Sequence, residues 1–281
     1  MQLVVLPTMP EKLRVRNLKK PIWTANKAKF IYRYLKIFLQ VTKNCAYIDG
    51  FAGPQREGKA DADSMWSAKL VAELEPRWIR KFFLFDASKS QVKRIRRMVE
   101  SLPPRRAKEA KRQFIIKEGD VNVELPKVLG LRPITDRAAV FCLLDQRSFQ
   151  CHWSTVQAVA GYKRSGMKIE QFYFFPIGWL DRSLTALKNE SIGRAWWGRD
   201  DWRSLRDLGT IARGELVAER FRNELGYKHA FPWPIYERAG GGRIMYFMVH
   251  ASDHDEAPKL MWRAYNQAVD PSPKDAVQLE L

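Results

Sequence analysis

The sequence has little cysteine and no long hydrophobic run, and these two shortages exclude several classes of protein. Three cysteines, Cys45, Cys142 and Cys151, form an odd set in 281 residues, and two of them lie within or beside predicted core strands. They are therefore predicted to be buried, reduced thiols rather than a disulfide framework. No apolar run is long enough to cross a bilayer, and the N-terminal residues lack the pattern of a signal peptide. We expect a cytoplasmic protein without a membrane segment.

Two further absences concern metals and repeats. Cys142, Cys151 and His152 have a spacing that fits no usual zinc-ligand pattern, so no metal site is predicted there. The sequence also has no internal repeat or low-complexity tract. Its length suits one principal domain, which we predict over residues 23–281 after a basic N-terminal arm at 1–22.

Acidic residues are scarce relative to basic ones. The chain carries 49 Lys and Arg against 31 Asp and Glu, a formal net charge of +18. Residues 1–36 hold nine basic residues and one acidic residue, and residues 89–113 hold ten and two, so these segments supply most of the excess. Clustered positive charge attracts phosphate backbones, which predicts nucleic acid, either RNA or DNA, as a partner. A solvated helix face that keeps the protein soluble is the alternative.

The hydrophobic residues come in short, continuous runs. Continuous hydrophobicity, rather than alternation, indicates strands covered on both faces, as in parallel sheets. Five such runs are predicted strands: CAYID (45–49), KFFLFDAS (81–88), FIIKEGD (114–120), AAVFCLLD (138–145) and EQFYFFPIG (170–178).

Helical segments separate these runs and complete the prediction of the fold. They are predicted over 25–41, 67–74, 90–102, 121–129 and 153–162. A last strand over 243–251 precedes a helix over 255–267, and 229–237 is predicted to pair with that strand. The alternation predicts an α/β protein with a Rossmann-like, doubly wound, mostly parallel sheet and a C-terminal antiparallel strand pair. A small helical insertion is expected at about 179–228.

Four of the five runs end on an aspartate, namely Asp49, Asp86, Asp120 and Asp145. In open α/β sheets the ligand crevice lies outside the carboxyl ends of the strands. We therefore expect the four carboxylates to gather at one rim of the sheet. The alternative for each is an ordinary helix N-cap at a strand–helix turn.

The first of these aspartates is followed at once by small residues. In the stretch from Asp49 to Gly53, a carboxylate at a strand end precedes glycines that let the backbone turn sharply and let a ligand approach closely. This is typical of a nucleoside-cofactor site, although the G-x-G-x-x-G dinucleotide spacing is absent. A buried strand that ends in an ordinary Asp-Gly turn is the alternative.

Tryptophan and arginine are interleaved in the predicted insertion. Arginine beside tryptophan suits base stacking and phosphate contact, and it equally suits a helical insertion that packs on a sheet. We predict packing for at least two of the four tryptophans there: Trp179, Trp196, Trp197 and Trp202.

An ordered series of motifs resembles the three-Cys-motif partner proteins over about residues 23–266. The matching segments are WTANKAKFIYRYL (23–35), YIDGFAGP (47–54), FFLFDAS (82–88), EGDVN (118–122), FCLLDQRS (141–148) and YFMVHAS (246–252). That family is similar to class I S-adenosylmethionine-dependent methyltransferases, which implies this cofactor, transferase activity and a protein partner encoded nearby. Asp145 is followed by Gln146, where members more often have proline.

The resemblance implies a role for each candidate residue. Asp86 would accept the ribose hydroxyls, Asp120 with Val121 would hold the adenine edge, and Asp145 would orient the target amine. The methionine and ribose end of the cofactor would lie against Asp49, Gly50, Phe51, Ala52 and Gly53. Substrate contacts are expected from Phe149 and Trp153, by stacking on a base, and from Arg94 and Arg97.

Three hypotheses remain open. The first is a methyltransferase that acts on nucleic acid, at a base amine. The second is a catalytically inactive partner subunit that keeps the fold and binds nucleic acid, which the Asp145–Gln146 pair motivates. The third, ranked lowest, is a metal-dependent nuclease that uses the clustered aspartates.

Overall fold

The computed structural model of this chain describes residues 22–23, 27–42, 44–54, 66–104, 106, 111–238 and 241–269. Apart from Ile22, the predicted basic arm at 1–22 lies outside the described residues. No helix among the described ranges is long and apolar enough to cross a membrane.

One eight-stranded sheet organises the described chain. Its strands are β1 (Ile22–Trp23), β2 (Cys45–Asp49), β3 (Ile79–Asp86), β4 (Gln113–Glu118), β5 (Ala139–Leu144), β6 (Glu170–Pro176), β7 (His229–Arg238) and β8 (Gly241–Ser252). Their order across the sheet is β1-β7-β8-β6-β5-β2-β3-β4. Strands β2 to β6 pair in parallel, whereas β8 is antiparallel to both β6 and β7. The predicted fold class, including the C-terminal antiparallel pair, is confirmed.

The strand order reverses direction at β2. The chain passes from β2 outward to β3 and β4, then returns to place β5 on the other side of β2. The carboxyl ends of β2 and β5 therefore stand at a topological switch point, which is where open α/β sheets form a ligand crevice.

Helices cover both faces of the sheet, which explains why its central strands β2, β5 and β6 are buried along nearly their whole length. They are α1 (Lys27–Val41), α2 (Ser67–Ala72), α3 (Lys89–Glu100), α4 (Val121–Gly130), α5 (Trp153–Ala160), α6 (Leu180–Ala186), α7 (Glu190–Trp197), α8 (Thr210–Asn223) and α9 (Ala257–Val269). In β2, Tyr47 faces the core built with α1, α2, α3 and α9, whereas Ile48 faces the core built with α4 to α8. Burying both faces favours the continuous apolar runs that mark these strands in the sequence.

The chain between β6 and β7 is helical, with α6, α7, a 3₁₀ helix at Asp200–Asp207, and α8. Trp196, Trp197 and Trp202 are buried in the core there. The guanidinium of Arg220 lies 3.9 Å from the ring centre of Trp153 and 4.2 Å from that of Trp197. These tryptophans therefore hold the helices on the sheet, in agreement with the packing interpretation.

Candidate functional site

A cleft of about 850 Å³ opens at the carboxyl ends of the parallel strands. Its walls include the turn after β2, the residues that follow β3, β4 and β5, and two side chains of the helical segment after β6, Leu187 and Ile192. Asp86, Asp120 and Asp145 all line it. Three of the four aspartates singled out by the sequence thus face one space, and Asp49 lies buried beneath it beside a small void that Asp145 also lines.

The turn from Gly50 to Gly53 is tied to the strands on both sides. Gly50 N–H donates to the carbonyl of Leu143 at 2.9 Å, and Ala52 N–H donates to that of Phe85 at 2.8 Å. A Cβ added at Gly53 would lie 2.4 Å from Oδ2 of Asp86 and 2.7 Å from Cβ of Gln91, so a larger residue would force one of these groups to move. The main chain at Gly53 therefore passes directly against the carboxylate at the end of the next strand.

Asp86 accepts one main-chain hydrogen bond on each carboxylate oxygen. Gly53 N–H donates to Oδ2 at 3.0 Å and Ser88 N–H donates to Oδ1 at 2.8 Å. These contacts orient the carboxylate at the mouth of the cleft. Each carboxylate oxygen has two lone pairs, so each can still accept another hydrogen bond.

Asp120 is the N-cap of α4, as the alternative interpretation of this residue predicted. Its Oδ1 accepts from the main-chain N–H and the side-chain amide of Asn122, at 2.9 and 2.8 Å. The amide of Asn122 also donates to the carbonyl of Gln150 and accepts from His152 N–H. Asn122, which the sequence reasoning did not single out, therefore joins the start of α4 to the loop after β5.

Asp49 is fully buried, and burial raises the pKa of its carboxyl from 3.8 to about 7. Tyr47 OH donates to Oδ2 at 2.8 Å and Phe51 N–H donates to Oδ1 at 3.0 Å, and both contacts partly offset that rise. The charges of Asp145 and Asp86 raise the pKa further. Asp49 therefore changes its protonation state near neutral pH, directly below the cleft.

Asp145 forms a buried ion pair that the sequence reasoning missed. Lys27, at the start of α1, places its Nζ 2.5 Å from Oδ2 of Asp145, and both side chains are less than a tenth exposed. The Lys27 ammonium also lies 5.7 Å from the ring centre of Tyr246. The signal was available, because Lys27 stands three and four residues before Phe30 and Ile31, on the apolar face of the helix.

Gln146, which stands where the resembling family more often has proline, is buried and bridges two elements. Its amide donates to the carbonyl of Phe174 in β6 at 3.0 Å and accepts from Cys151 N–H at 2.8 Å. The side chain thereby fixes the path of the loop that carries the cleft residues Arg147 to Gln150.

The four residues expected to contact substrate fall in different places. Phe149 lines the cleft and packs on Trp196, with ring centres 4.6 Å apart. Trp153 is only 2% exposed and packs edge-on against Phe221, away from the cleft. Arg94 and Arg97 lie on α3, whose first turn contributes to the cleft wall, but neither arginine lines it.

The nuclease hypothesis requires two or three carboxylates on one metal ion. In the described part of the chain, no group of three His, Cys, Asp or Glu side chains is close enough to hold one ion. The nuclease hypothesis stays a prediction.

Comparisons with known proteins find similarity in structure only. No protein-family profile and no curated protein sequence matches this chain. The methyltransferase domain of bacterial CtHen1 is similar in structure, with a TM-score of 0.42 and 13% identity over 81% of this chain and 99% of that one. A SAM-dependent methyltransferase from Anabaena variabilis has a TM-score of 0.37 and 12% identity, over 85% of this chain and 89% of that one.

Proposed function

We propose that the protein is an S-adenosylmethionine-dependent methyltransferase that acts on nucleic acid, with a base amine as the acceptor. The observation that carries the proposal is the convergence of Asp86, Asp120 and Asp145 on one cleft beside the Gly50–Gly53 turn. A volume of about 850 Å³ suits a nucleoside cofactor with space for part of a second molecule. The resemblance to the three-Cys-motif partner proteins, with a partner encoded nearby, belongs to the same proposal.

The cofactor would lie across the ends of β2, β3 and β4. Asp86 keeps acceptor capacity on both oxygens for two ribose hydroxyls. Asp120 uses Oδ1 for Asn122, which leaves Oδ2 for the amine of adenine. The first N–H groups of a helix have no partner within it, so Val121 N–H, at the start of α4, suits a ring nitrogen.

The acceptor nitrogen would meet Asp145. S-adenosylmethionine, when bound, supplies an electrophilic methyl group on a sulfonium. Asp145 would accept a hydrogen bond from the target amine and so orient its lone pair, which is catalysis by positioning. Lys27 offsets the cost of burying the Asp145 carboxylate and holds it in place. Phe149, on the cleft wall, would pack against the base.

Cofactor binding is tested by calorimetry with S-adenosylmethionine and S-adenosylhomocysteine. Asp86→Asn keeps the shape of the side chain but removes its charge, so we expect affinity to fall at least about tenfold, as for a lost charged hydrogen bond. The matched control is Asp207→Asn, an exposed aspartate outside the cleft, which should leave affinity unchanged. Absence of binding by the unmodified protein would contradict the proposal.

Nucleic-acid binding is tested separately from cofactor binding. Arg97→Gln removes an exposed charge from α3 and should weaken binding to RNA or DNA at low salt by a few fold. Lys259→Gln, on α9, is the charge-matched control. Equal effects of the two changes would favour a solvated surface over a nucleic-acid contact.

A second candidate, a cofactor-binding partner subunit without catalysis, is favoured by one observation. The carboxylate that would orient the acceptor is already engaged by Lys27 at 2.5 Å. Transfer of a labelled methyl group to RNA and DNA separates the two candidates. Turnover that is lost in Asp145→Asn, with cofactor affinity retained, supports the methyltransferase; cofactor binding with no turnover on either nucleic acid supports the partner subunit.

A further inference from the structure

A second cavity, of about 320 Å³, lies at the opposite edge of the sheet from the cleft. It is bounded by the starts of β5 and β6, the end of α1, the loop at 163–168 and the first turn of α9. The two sites are separated by the length of β5, whose six residues span about 20 Å at roughly 3.3 Å per residue. The cavity is therefore independent of the proposed cofactor site.

The walls of this cavity are largely apolar and its mouth is exposed. Tyr34 and Phe38 of α1 and Leu260 of α9 line it. Val41 and Met167, which stand at the ends of α1 and of the loop, also line it while 53% and 52% exposed. Large apolar side chains grouped around a cavity mark a surface that gains free energy when it is covered.

At the deep end of the cavity, the polar side chain of Glu170 already has hydrogen-bond partners within the protein. Glu170 is buried there and accepts hydrogen bonds from Tyr34 OH, from Ser252 Oγ at 3.0 Å, and from His250 Nε2, which lies 2.8 Å away. Burial and the charge of Glu170 raise the pKa of Tyr34, so its hydroxyl stays a donor. An anionic group would be repelled by Glu170, so a ligand would point its apolar end inward.

The mouth of the cavity is positively charged. Arg137, Lys163 and Lys168 line it together with one acid, Asp136, which Arg132 neutralises at 2.6 Å. Lys168 pairs with Asp253 at 3.4 Å, and Lys163 donates to the carbonyl of Ala138 at 2.6 Å. Arg137 is exposed and makes no ion pair with any residue in the described ranges. A guanidinium in that position can take a carboxylate in bidentate geometry.

We propose that this cavity is a second binding site, for a small amphipathic carboxylate whose apolar body lies on Tyr34 and Phe38 and whose carboxylate meets Arg137 and Lys163. Charge complementarity at the mouth and apolar walls below it select this class of ligand over an uncharged or cationic one. The proposal does not depend on the cofactor cleft and goes beyond the proposed function.

Octanoate is a suitable probe, and 1-octanol is its uncharged analogue. Calorimetry should detect octanoate binding, and the ¹³C-methyl signal of Met167, assigned with Met167→Leu, should shift with the same midpoint. Arg137→Gln should weaken octanoate binding about tenfold and leave octanol binding unchanged, as expected for one charged contact. Arg164→Gln, an exposed neighbour that does not line the cavity, is the matched control.

A variant that blocks the cavity completes the test. Val41→Trp, at an exposed position that tolerates size, should obstruct the mouth and abolish binding without unfolding the protein. The proposal is overturned by an absence of octanoate binding at millimolar concentration, by binding that leaves the Met167 signal unmoved, or by equal losses in Arg137→Gln and Arg164→Gln.

Discussion

The two edges of the sheet differ in the charge of the side chains that bind the main chain there. At the carboxyl edge, aspartates accept from main-chain N–H groups: Asp49 from Phe51, Asp86 from Gly53 and Ser88, and Asp120 from Asn122. At the amino edge, basic side chains donate to main-chain carbonyls: Lys81 to Pro133, Lys163 to Ala138, Lys168 to Gly226, and Arg112 to Ala72.

The polarity of the backbone explains this difference. In a parallel α/β layer, a helix that connects two parallel strands begins at the carboxyl edge and ends at the amino edge, so the free N–H groups of these helices collect at one edge and their free carbonyls at the other. Carboxylates therefore find main-chain donors at the edge where the cleft lies, and ammonium and guanidinium groups find main-chain acceptors at the far edge. Part of the positive charge of segment 89–113 is structural for this reason, since Arg112 donates to Ala72 and lies over the rings of Phe82 and Phe114.

The largest expected effect on stability comes from removing Lys27, whose ammonium pairs with the cleft aspartate Asp145. Lys27→Met removes the ammonium that pairs with the buried Asp145 carboxylate, which should reduce the free energy of unfolding by about 3–5 kcal/mol. Urea denaturation measures this. Lys259→Met breaks an exposed pair with Glu256 and should cost less than about 1 kcal/mol. Similar losses in both would mean that burial of the Lys27 pair has no energetic consequence.

The next effect depends on pH. Because the folded-state pKa of Asp49 is raised to about 7, the native state holds a proton that the unfolded chain releases near pH 4. Stability should therefore fall as pH rises from about 4 to about 7, by at most a few kcal/mol. Asp49→Asn should flatten this part of the profile, as measured by urea denaturation across pH 4 to 8. If stability falls with pH as steeply in Asp49→Asn as in the unmodified protein, a group other than Asp49 is responsible for the pH dependence.

A smaller effect is expected from the Gly53 contact. Gly53→Ala places a methyl group against Oδ2 of Asp86 and should cost about 1–3 kcal/mol and weaken cofactor binding. Gly130→Ala, at the end of α4 where an added Cβ meets nothing within 4 Å, should be neutral or slightly stabilising. Thermal unfolding compares the stability of the two variants, and calorimetry compares their cofactor affinity. Equal stability and equal affinity would mean that the turn at Gly53 can relax around the added methyl group.

The smallest expected change in stability comes from a variant at the amino edge of the sheet. Lys81→Met removes one hydrogen bond to the carbonyl of Pro133 and should lower the free energy of unfolding by about 1 kcal/mol. Cofactor affinity should not change, because Lys81 stands near the start of β3, at the far end of that strand from Asp86. A loss of cofactor affinity in this variant would show that the two edges are coupled.

Much of the architecture could be read from local pattern. The five apolar runs and the strand pair at 229–251 correspond to β2 to β8. The signal is strongest for the central strands β2, β5 and β6, because strands buried on both faces have to be largely apolar. The rim of aspartates was predictable too, since parallel strands bring their carboxyl ends to one edge. The role of Trp153 was harder to predict, because a tryptophan after a strand end has the same sequence pattern whether it faces a cleft or a core.

The sequence by itself determined which residues make the strands and that Asp86, Asp120 and Asp145 stand at or just after the carboxyl ends of three of them. Only the tertiary structure decided that Lys27, 118 residues away, pairs with Asp145, and that Glu170 lies beneath a second cavity at the other edge. The physical reason is the range of the interactions. Hydrophobic periodicity is a local property of the chain, whereas ion pairs and cavities arise between elements distant in sequence, where packing sets the distances.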